Sequence, residues 1–289
     1  MSRGPAWGFQ DGLWLAGLCA LAVAASFSAW YDMVQTGLRS SEQSHILLAL
    51  PLVVWLAWLR RGRVRKHRPG RSLAGAGIAL AGSVAFLVGP RLGYDIVWHA
   101  GALLMLAGGL VSIVGVRLAI AFFPSFIGLA FFLPVPGTIR HEIATPLQDV
   151  SARVGEFALD IFGVPVERTG SALTVNGVPV MIAEACNGMR MVSALALVSF
   201  AFIFSVPMSN RIRVLILAIS PLVAVLVNII RLIPTVLFYG YADANIAGAF
   251  HDASGWLGLV LAFGVLWAFL SMLRWLEVPI APYGVRGGG

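Results

Sequence analysis

Three residues of types that carry out nucleophilic catalysis stand beside long apolar stretches of this chain. Cys186 comes just before an almost uncharged run from Met191 to Val206, and Arg231 and His251 stand at the ends of two later apolar runs. A thiol in the first turn of a helix lies beside free backbone N–H groups, and these groups and the helix dipole favour the thiolate. A Cys, an Arg and a His at one depth of one membrane face predict a catalytic site.

Polar neighbours favour Cys186 as a nucleophile over a buried, inert cysteine, which the position alone would allow equally well. Asn187 can cap the helix, Gly188 lets another backbone approach closely, and Arg190 lies one turn further along the same face. We interpret these three residues, together with Glu184, as groups that orient the site or contact the substrate.

Two later segments carry the other candidate residues. Asn228 and Arg231 are three residues apart, so they share one face of a predicted helix. An arginine at a helix end can snorkel, but on the outer side it runs against the positive-inside trend, which favours a functional role. His251 can shuttle a proton near neutral pH, although the adjacent Asp252 can simply cap the following helix.

The composition excludes an ordinary soluble domain, because 59% of the 289 residues are hydrophobic and only 11% are charged. We predict an all-α polytopic membrane protein with about eight spanning helices. The predicted spans are residues 12–31, 44–59, 72–90, 96–114, 117–133, 189–206, 214–233 and 253–273. The first span has no small-residue cleavage site after it, so we expect a retained helix.

The net charge of +7 comes mainly from short loops that alternation of the spans places on one side. The densest basic run covers residues 60–68. By the positive-inside rule this side is the cytoplasm, with both termini there and with Cys186, Arg231 and His251 on the opposite face. We therefore expect the basic loop to set topology and to touch anionic lipid, and we expect no nucleic-acid binding. The different depths of Cys19 and Cys186 make a disulfide between them unfavourable.

One sizeable segment outside the membrane is predicted between the fifth and sixth spans. Residues 138–162 have the apolar spacing of an amphipathic helix that lies along the outer surface. Residues 172–175 and 178–182 alternate around Asn176-Gly177, which predicts a hairpin with a two-residue turn. The predicted organisation is a five-helix scaffold (1–134), an extracytoplasmic helix and β-hairpin (135–185), and a three-helix catalytic part (186–289).

The second half of the chain resembles the exosortase/archaeosortase family. The resemblance rests on Glu-x-Cys-x-Gly-x-Arg at 184–190, Asn-x-x-Arg at 228–231 and His251 before the last span. It implies a membrane-embedded cysteine transpeptidase that acts through a thioester, with Cys186 as nucleophile and Arg231 and His251 as its catalytic partners. The family usually has serine after the cysteine, where this chain has Asn187.

The resemblance also implies the partners. These are exported proteins that end in a sorting tag, which consists of a short motif such as Pro-Glu-Pro, one hydrophobic helix and a basic tail. The lipid bilayer is the other partner, and a bacterial inner membrane with the site on its periplasmic face is the implied location. We expect no cofactor and no metal, because no Cys/His cluster has zinc spacing.

A non-catalytic transporter or a membrane subunit of a polysaccharide-export system is the alternative. A transport path needs polar groups at several depths. The ionisable residues predicted within the spans cluster instead at one outer level, which favours chemistry at the membrane surface.

Overall fold

The protein is described by a computed structural model that covers residues 7–66, 70–182 and 189–275. The described chain is mostly helical. It divides into two compact units, Met1–Pro136 and Gly137–Gly289.

The described residues of the first unit, 7–66 and 70–136, form six α-helices. They are α1 (Phe9–Ala25), α2 (Phe27–Arg39), α3 (His45–Leu59), α4 (Leu73–Leu92), α5 (Asp95–Ala121) and α6 (Phe123–Leu129), with short 3-10 helices at Ser41–Gln43, Arg61–Lys66 and Ala130–Phe132.

The first predicted span is broken at Ser26, where α1 and α2 meet at an angle of 75°. The hydroxyl of this buried serine donates to the carbonyl of Ala22 at 2.6 Å and accepts from Nε1 of Trp30 at 3.1 Å. A serine that bonds back to the preceding turn competes with the helical hydrogen bonds and bends a helix.

Glycines at seven-residue intervals let α4 and α5 pack with their backbones in contact. A Cβ on Gly82 would lie 2.6 Å from the backbone nitrogen of Met105, and a Cβ on Gly101 would lie 2.8 Å from the carbonyl oxygen of Gly82. Small residues at such a contact are what permits close helix packing in membranes. Gly93, with a φ of 71°, forms the left-handed turn between the two helices.

A buried histidine links α2 to α5. Nε2 of His99, a residue only 2% exposed, lies 2.9 Å from Oδ2 of Asp32. Nδ1 of His99 and Nδ1 of the buried His45 both lack a hydrogen-bond partner within the described ranges.

In the second unit, residues 137–182 and 189–275 are described, and they form four helices and a small sheet. The elements are α7 (Gly137–Ile161), β1 (Val166–Thr169), β2 (Ala172–Val175), β3 (Val178–Met181), α8 (Met189–Ser205), α9 (Asn210–Tyr241) and α10 (Ala244–Trp275).

The three strands form an antiparallel sheet in the order β1-β2-β3. Val175 pairs with Val178 around the turn, and Asn176 and Gly177 both have positive φ, 54° and 73°. This is the backbone that an Asn-Gly hairpin turn requires. The hairpin is therefore where the sequence predicted it, and β1 is an additional strand that the sequence did not indicate.

The sheet packs against α7 and α9 through one apolar core. The core is formed by Ala152, Leu159, Leu173, Val175, Val180, Ile182, Leu232 and Val236. Ile182 directly follows the last strand, and its N–H donates to the carbonyl of Ser171 at 3.1 Å. The end of the hairpin is therefore fixed against the middle of α9.

The helices α8, α9 and α10 pack together in two further clusters. Met191, Leu195, Val227 and Ala262 belong to the first, which lies next to the candidate site. Only Ala242-Asp243 joins α9 and α10, so the two helices run antiparallel. The last turns of α9 therefore lie beside the first turns of α10.

Among the described residues, four helices are long and apolar enough to cross a membrane: α4, α5, α9 and residues 244–273 of α10. The count rises to six if two bent pairs, α1 with α2 and 123–132 with α7, each form one span. The predicted count of eight is not confirmed. The helix α3 and residues 190–205 of α8 are apolar but shorter, and the boundary predicted after residue 114 falls at Gly115, whose φ of 77° interrupts α5.

Candidate active site

The guanidinium of Arg231 projects from α9 toward α10. Its Nη1 lies 3.1 Å from the position that a Cβ on Gly255 would take. Its Nη2 donates to Oδ1 of Asn228, one turn earlier, at 3.3 Å. Asn228 is itself only 2% exposed. The amide therefore restricts the orientation of the guanidinium, as the three-residue spacing predicted.

The charge of Arg231 is not neutralised by the part of the chain that the structure describes. No carboxylate in the described residues lies within ion-pair distance of it, and its buried Nε has no hydrogen-bond partner there. A buried donor without an acceptor is costly. Such a group favours an incoming negative charge, since the described residues place none within ion-pair distance.

Arg190 reaches the same position from α8. Its Nη1 lies 3.8 Å from the site of a Cβ on Gly255, and its guanidinium carbon is 6.0 Å from the centroid of the Trp256 ring. The next residue, Met191, packs on Gly258, one turn further along α10. Gly255 thus leaves room for two guanidinium groups from two different helices.

His251 lies one turn before Gly255 on α10. Its Nδ1 is 3.1 Å from Oδ1 of Asp252, and its side chain is 25% exposed. An ionised carboxylate only accepts hydrogen bonds, so Nδ1 donates to it, and in the neutral form of the ring Nε2 is then an acceptor. Position and tautomer therefore suit a group that takes up a proton.

Aromatic stacking fixes the start of α10 against α9. The rings of Phe238 and Phe250 are nearly parallel, 13° apart, with centroids 4.1 Å from each other. Because Phe250 immediately precedes His251, this contact holds the histidine at the same end of the α9–α10 pair as Arg231. The hydroxyl of Ser254 donates to the carbonyl of His251 at 3.0 Å and completes this turn.

The remaining predicted site residues, Cys186, Glu184, Asn187 and Gly188, lie outside the described residues. The described residues that flank this segment, Ile182 and the start of α8, both belong to the second unit. Ile182 belongs to the core with Leu232 and Val236, on the turn of α9 that follows Arg231.

The hairpin that leads to this segment is attached to α9 at its tip. Nδ2 of Asn176 donates to the carbonyl of Gly240 at 3.0 Å. A Cβ on Gly240 would lie 2.8 Å from Cγ1 of Val175, so only glycine allows the strand to approach the helix this closely.

The structure brings Asn228, Arg231 and Arg190 together and places His251 one turn along from them. The residues that the sequence analysis missed are Gly255 and Gly258, which give the space for these side chains. Their three-residue spacing in the first half of α10 was the available signal, since small residues on one face of an apolar helix mark a close approach.

Residues 30–268, most of the chain, match the model of the family described as transmembrane exosortase (Exosortase_EpsH). No curated protein and no solved structure matches the chain. A family match of this extent, on a helical chain with at least four apolar helices of spanning length, makes this a multi-pass membrane protein that belongs to the transmembrane exosortase family.

Proposed function

We propose that the chain is a membrane-embedded cysteine transpeptidase that cleaves the C-terminal sorting tag of exported proteins by acyl transfer. The observation that carries the proposal is the position of the Arg231 guanidinium. Asn228 holds it, and no carboxylate in the described chain pairs with it. It lies at Gly255, which is one turn of α10 after His251. The family implies a sorting-related transpeptidase, and this arrangement gives that activity a cation and a base at one place.

Cys186 is the nucleophile in this proposal. It is four residues from Ile182 and four from Arg190, and four residues of extended chain span at most about 14 Å. Because Ile182 packs on α9 and Arg190 lies at Gly255, both ends of this short segment support a thiol close to Arg231 and His251.

The first half of the reaction forms a thioester. Nε2 of His251 takes the proton of the Cys186 thiol, and the thiolate attacks the scissile carbonyl carbon to form a C–S bond. The negative charge moves to the carbonyl oxygen. When the tetrahedral intermediate collapses, the C–N bond breaks and His251 returns its proton to the leaving amine.

Arg231 stabilises the oxyanion in this scheme. Its buried Nε has no hydrogen-bond partner within the described ranges, and Asn228 holds its Nη2, so the donors are oriented before charge develops. Removal of one such donor typically costs about 10²–10³ in rate. Arg190, Glu184, Asn187 and Gly188 orient the site or contact the tag.

The second half of the reaction releases the cleaved protein from Cys186. An acceptor amine or water attacks the thioester carbonyl, the C–S bond breaks, and the proton of the attacking group returns to the thiolate through His251. The hydrophobic helix of the tag lies in the bilayer while the C–N bond is cleaved in the first half, and its basic tail stays on the cytoplasmic side. The site is then on the periplasmic face of the inner membrane.

The experiment is to co-express the chain with a tagged sorting-signal protein of its own host and to follow the size of that protein by immunoblot. We expect Cys186→Ala to abolish processing at unchanged abundance of the enzyme. Cys19→Ala is the matched control, because Cys19 lies on α1 and has no role in the proposal. Hydroxylamine treatment of the wild type should release substrate from the thioester.

Two results separate the alternatives. Processing that continues in Cys186→Ala contradicts the catalytic proposal and supports the transporter or export-subunit class. Processing that requires Cys186 but not Arg231 or His251 supports a thiol enzyme and contradicts the roles assigned to these two residues.

A further inference from the structure

The first unit contains an apolar cavity of about 370 Å³ between four of its helices. Apart from Ser125, its walls are apolar. They include Leu15 of α1, Val53 and Ala57 of α3, Val114 of α5, Phe126 of α6, and Val64 of the 3-10 helix at Arg61–Lys66. The volume is within the range of about 300–1,000 Å³ that is typical of ligand sites.

The 3-10 helix at Arg61–Lys66, called the basic helix below, closes one end of this cavity. Val64 contributes to the wall, while Arg61, Arg63 and Arg65 on either side of it are exposed. The guanidinium of Arg61 lies 4.2 Å from the centroid of the Trp58 ring and donates to the carbonyl of Trp58 at 3.0 Å.

A second contact fixes the basic helix to the opposite wall. Nη1 of Arg63 donates to the carbonyl of Ala121, the last residue of α5, and the cavity residues Ala119 and Phe122 are its near neighbours in sequence. The cations are therefore held at the mouth of the cavity by both α3 and α5.

The segment that contains the basic helix carries charge of one sign. The sequence has no Asp or Glu between Glu42 and Asp95, whereas residues 60–66 contain five Arg or Lys. Basic segments next to a membrane attract anionic headgroups. The positive-inside rule is enough to explain the basic residues, but it does not explain why an apolar cavity lies next to them.

We propose that this cavity binds one anionic phospholipid of the bilayer. An acyl chain fills the space between α1, α3, α5 and α6, and the phosphate of the headgroup lies on Arg61 and Arg65. An empty apolar cavity loses dispersion contacts on every side, so an acyl chain stabilises the unit by supplying them. This site is in the first unit and is independent of the proposed acyl transfer.

The test uses the full chain, purified in detergent and measured by native mass spectrometry. The two probes are phosphatidylglycerol and phosphatidylcholine with identical acyl chains. We expect one phosphatidylglycerol to remain bound and to bind about tenfold more tightly than phosphatidylcholine. Equal binding of the two lipids contradicts the proposal.

Two variants separate the headgroup from the acyl chain. The double variant Arg61→Gln/Arg65→Gln should remove the preference for phosphatidylglycerol. Ala57→Phe fills the cavity and should weaken the binding of both lipids about tenfold or more. Retained preference in the first variant, or unchanged binding in the second, overturns the proposal.

The chain offers matched controls for both changes. Arg211→Gln removes an exposed arginine at the start of α9, in the second unit, and should leave lipid binding unchanged. Ala107→Phe adds the same ring to a different, more open cavity of about 670 Å³ in the first unit. Because the double variant alters only exposed residues, it tests the proposal even if Ala57→Phe fails to fold.

Discussion

Nη2 of Arg231 and Oδ1 of Asn228 are joined by a hydrogen bond of 3.3 Å within one turn of α9. The amide is buried and the guanidinium extends from it toward Gly255. A short side chain on the same helix thus determines where a long and flexible one points.

Asn228→Ala should slow processing about 10- to 100-fold, because a hydrogen bond to a charged group contributes about 1.5–3 kcal/mol. The effect should fall on kcat rather than on KM, since Asn228 orients a group that acts on the transition state. Reconstituted enzyme and a tagged peptide would provide both constants. A change confined to KM would instead make Arg231 a substrate-binding residue.

Gly255→Ala should reduce processing with little effect on the melting temperature. The added Cβ would lie 3.1 Å from Nη1 of Arg231, so the guanidinium must move. Gly264→Ala, on the same helix, meets no atom within 4 Å and serves as the control. Equal activity of the two variants would show that the position of Arg231 does not limit the reaction.

Asp32→Ala should destabilise the protein by about 1–3 kcal/mol, because it removes the hydrogen-bond partner of the buried His99. Thermal unfolding in detergent measures this loss. Asp160→Asn, an exposed position of α7, should have almost no effect. The folded fraction of Asp32→Ala should process substrate at the normal rate, since this pair is in the first unit.

Gly82→Ala should cost about 1–3 kcal/mol of stability, because a Cβ there would lie 2.6 Å from the backbone of α5. Gly77 is on the same helix and faces open space. Gly77→Ala should therefore be neutral or slightly stabilising. Similar melting temperatures for the two variants would contradict the close α4–α5 contact.

Periodicity and turn chemistry predicted much of the second unit. The helix at Gly137–Ile161 and the Asn176-Gly177 hairpin are present, because their apolar spacing and their turn residues act locally. The strand β1 was missed because Val166–Thr169 is short and half charged. This strand forms by pairing with β2, and the residues of β1 alone do not indicate that pairing.

The break at Ser26 and the glycine contact of α4 and α5 were harder to predict. One serine in an apolar run carries no helix-stop signal, and its bending effect depends on the partners Ala22 and Trp30. The spacing of Asn228 and Arg231 predicted their shared face. The convergence of Arg190 and Arg231 on Gly255 could not be predicted, since it joins three helices.

The bond from Asn176 to Gly240 ties the hairpin to α9 and so sets a thermal limit on the proposed activity. A small three-stranded sheet opens locally at a lower free energy than the whole unit unfolds. When it opens, the chain before Cys186 loses its anchor while α9 and α10 stay helical. Processing should therefore cease on warming before helicity declines, and the interval between the two temperatures measures the stability of the hairpin alone.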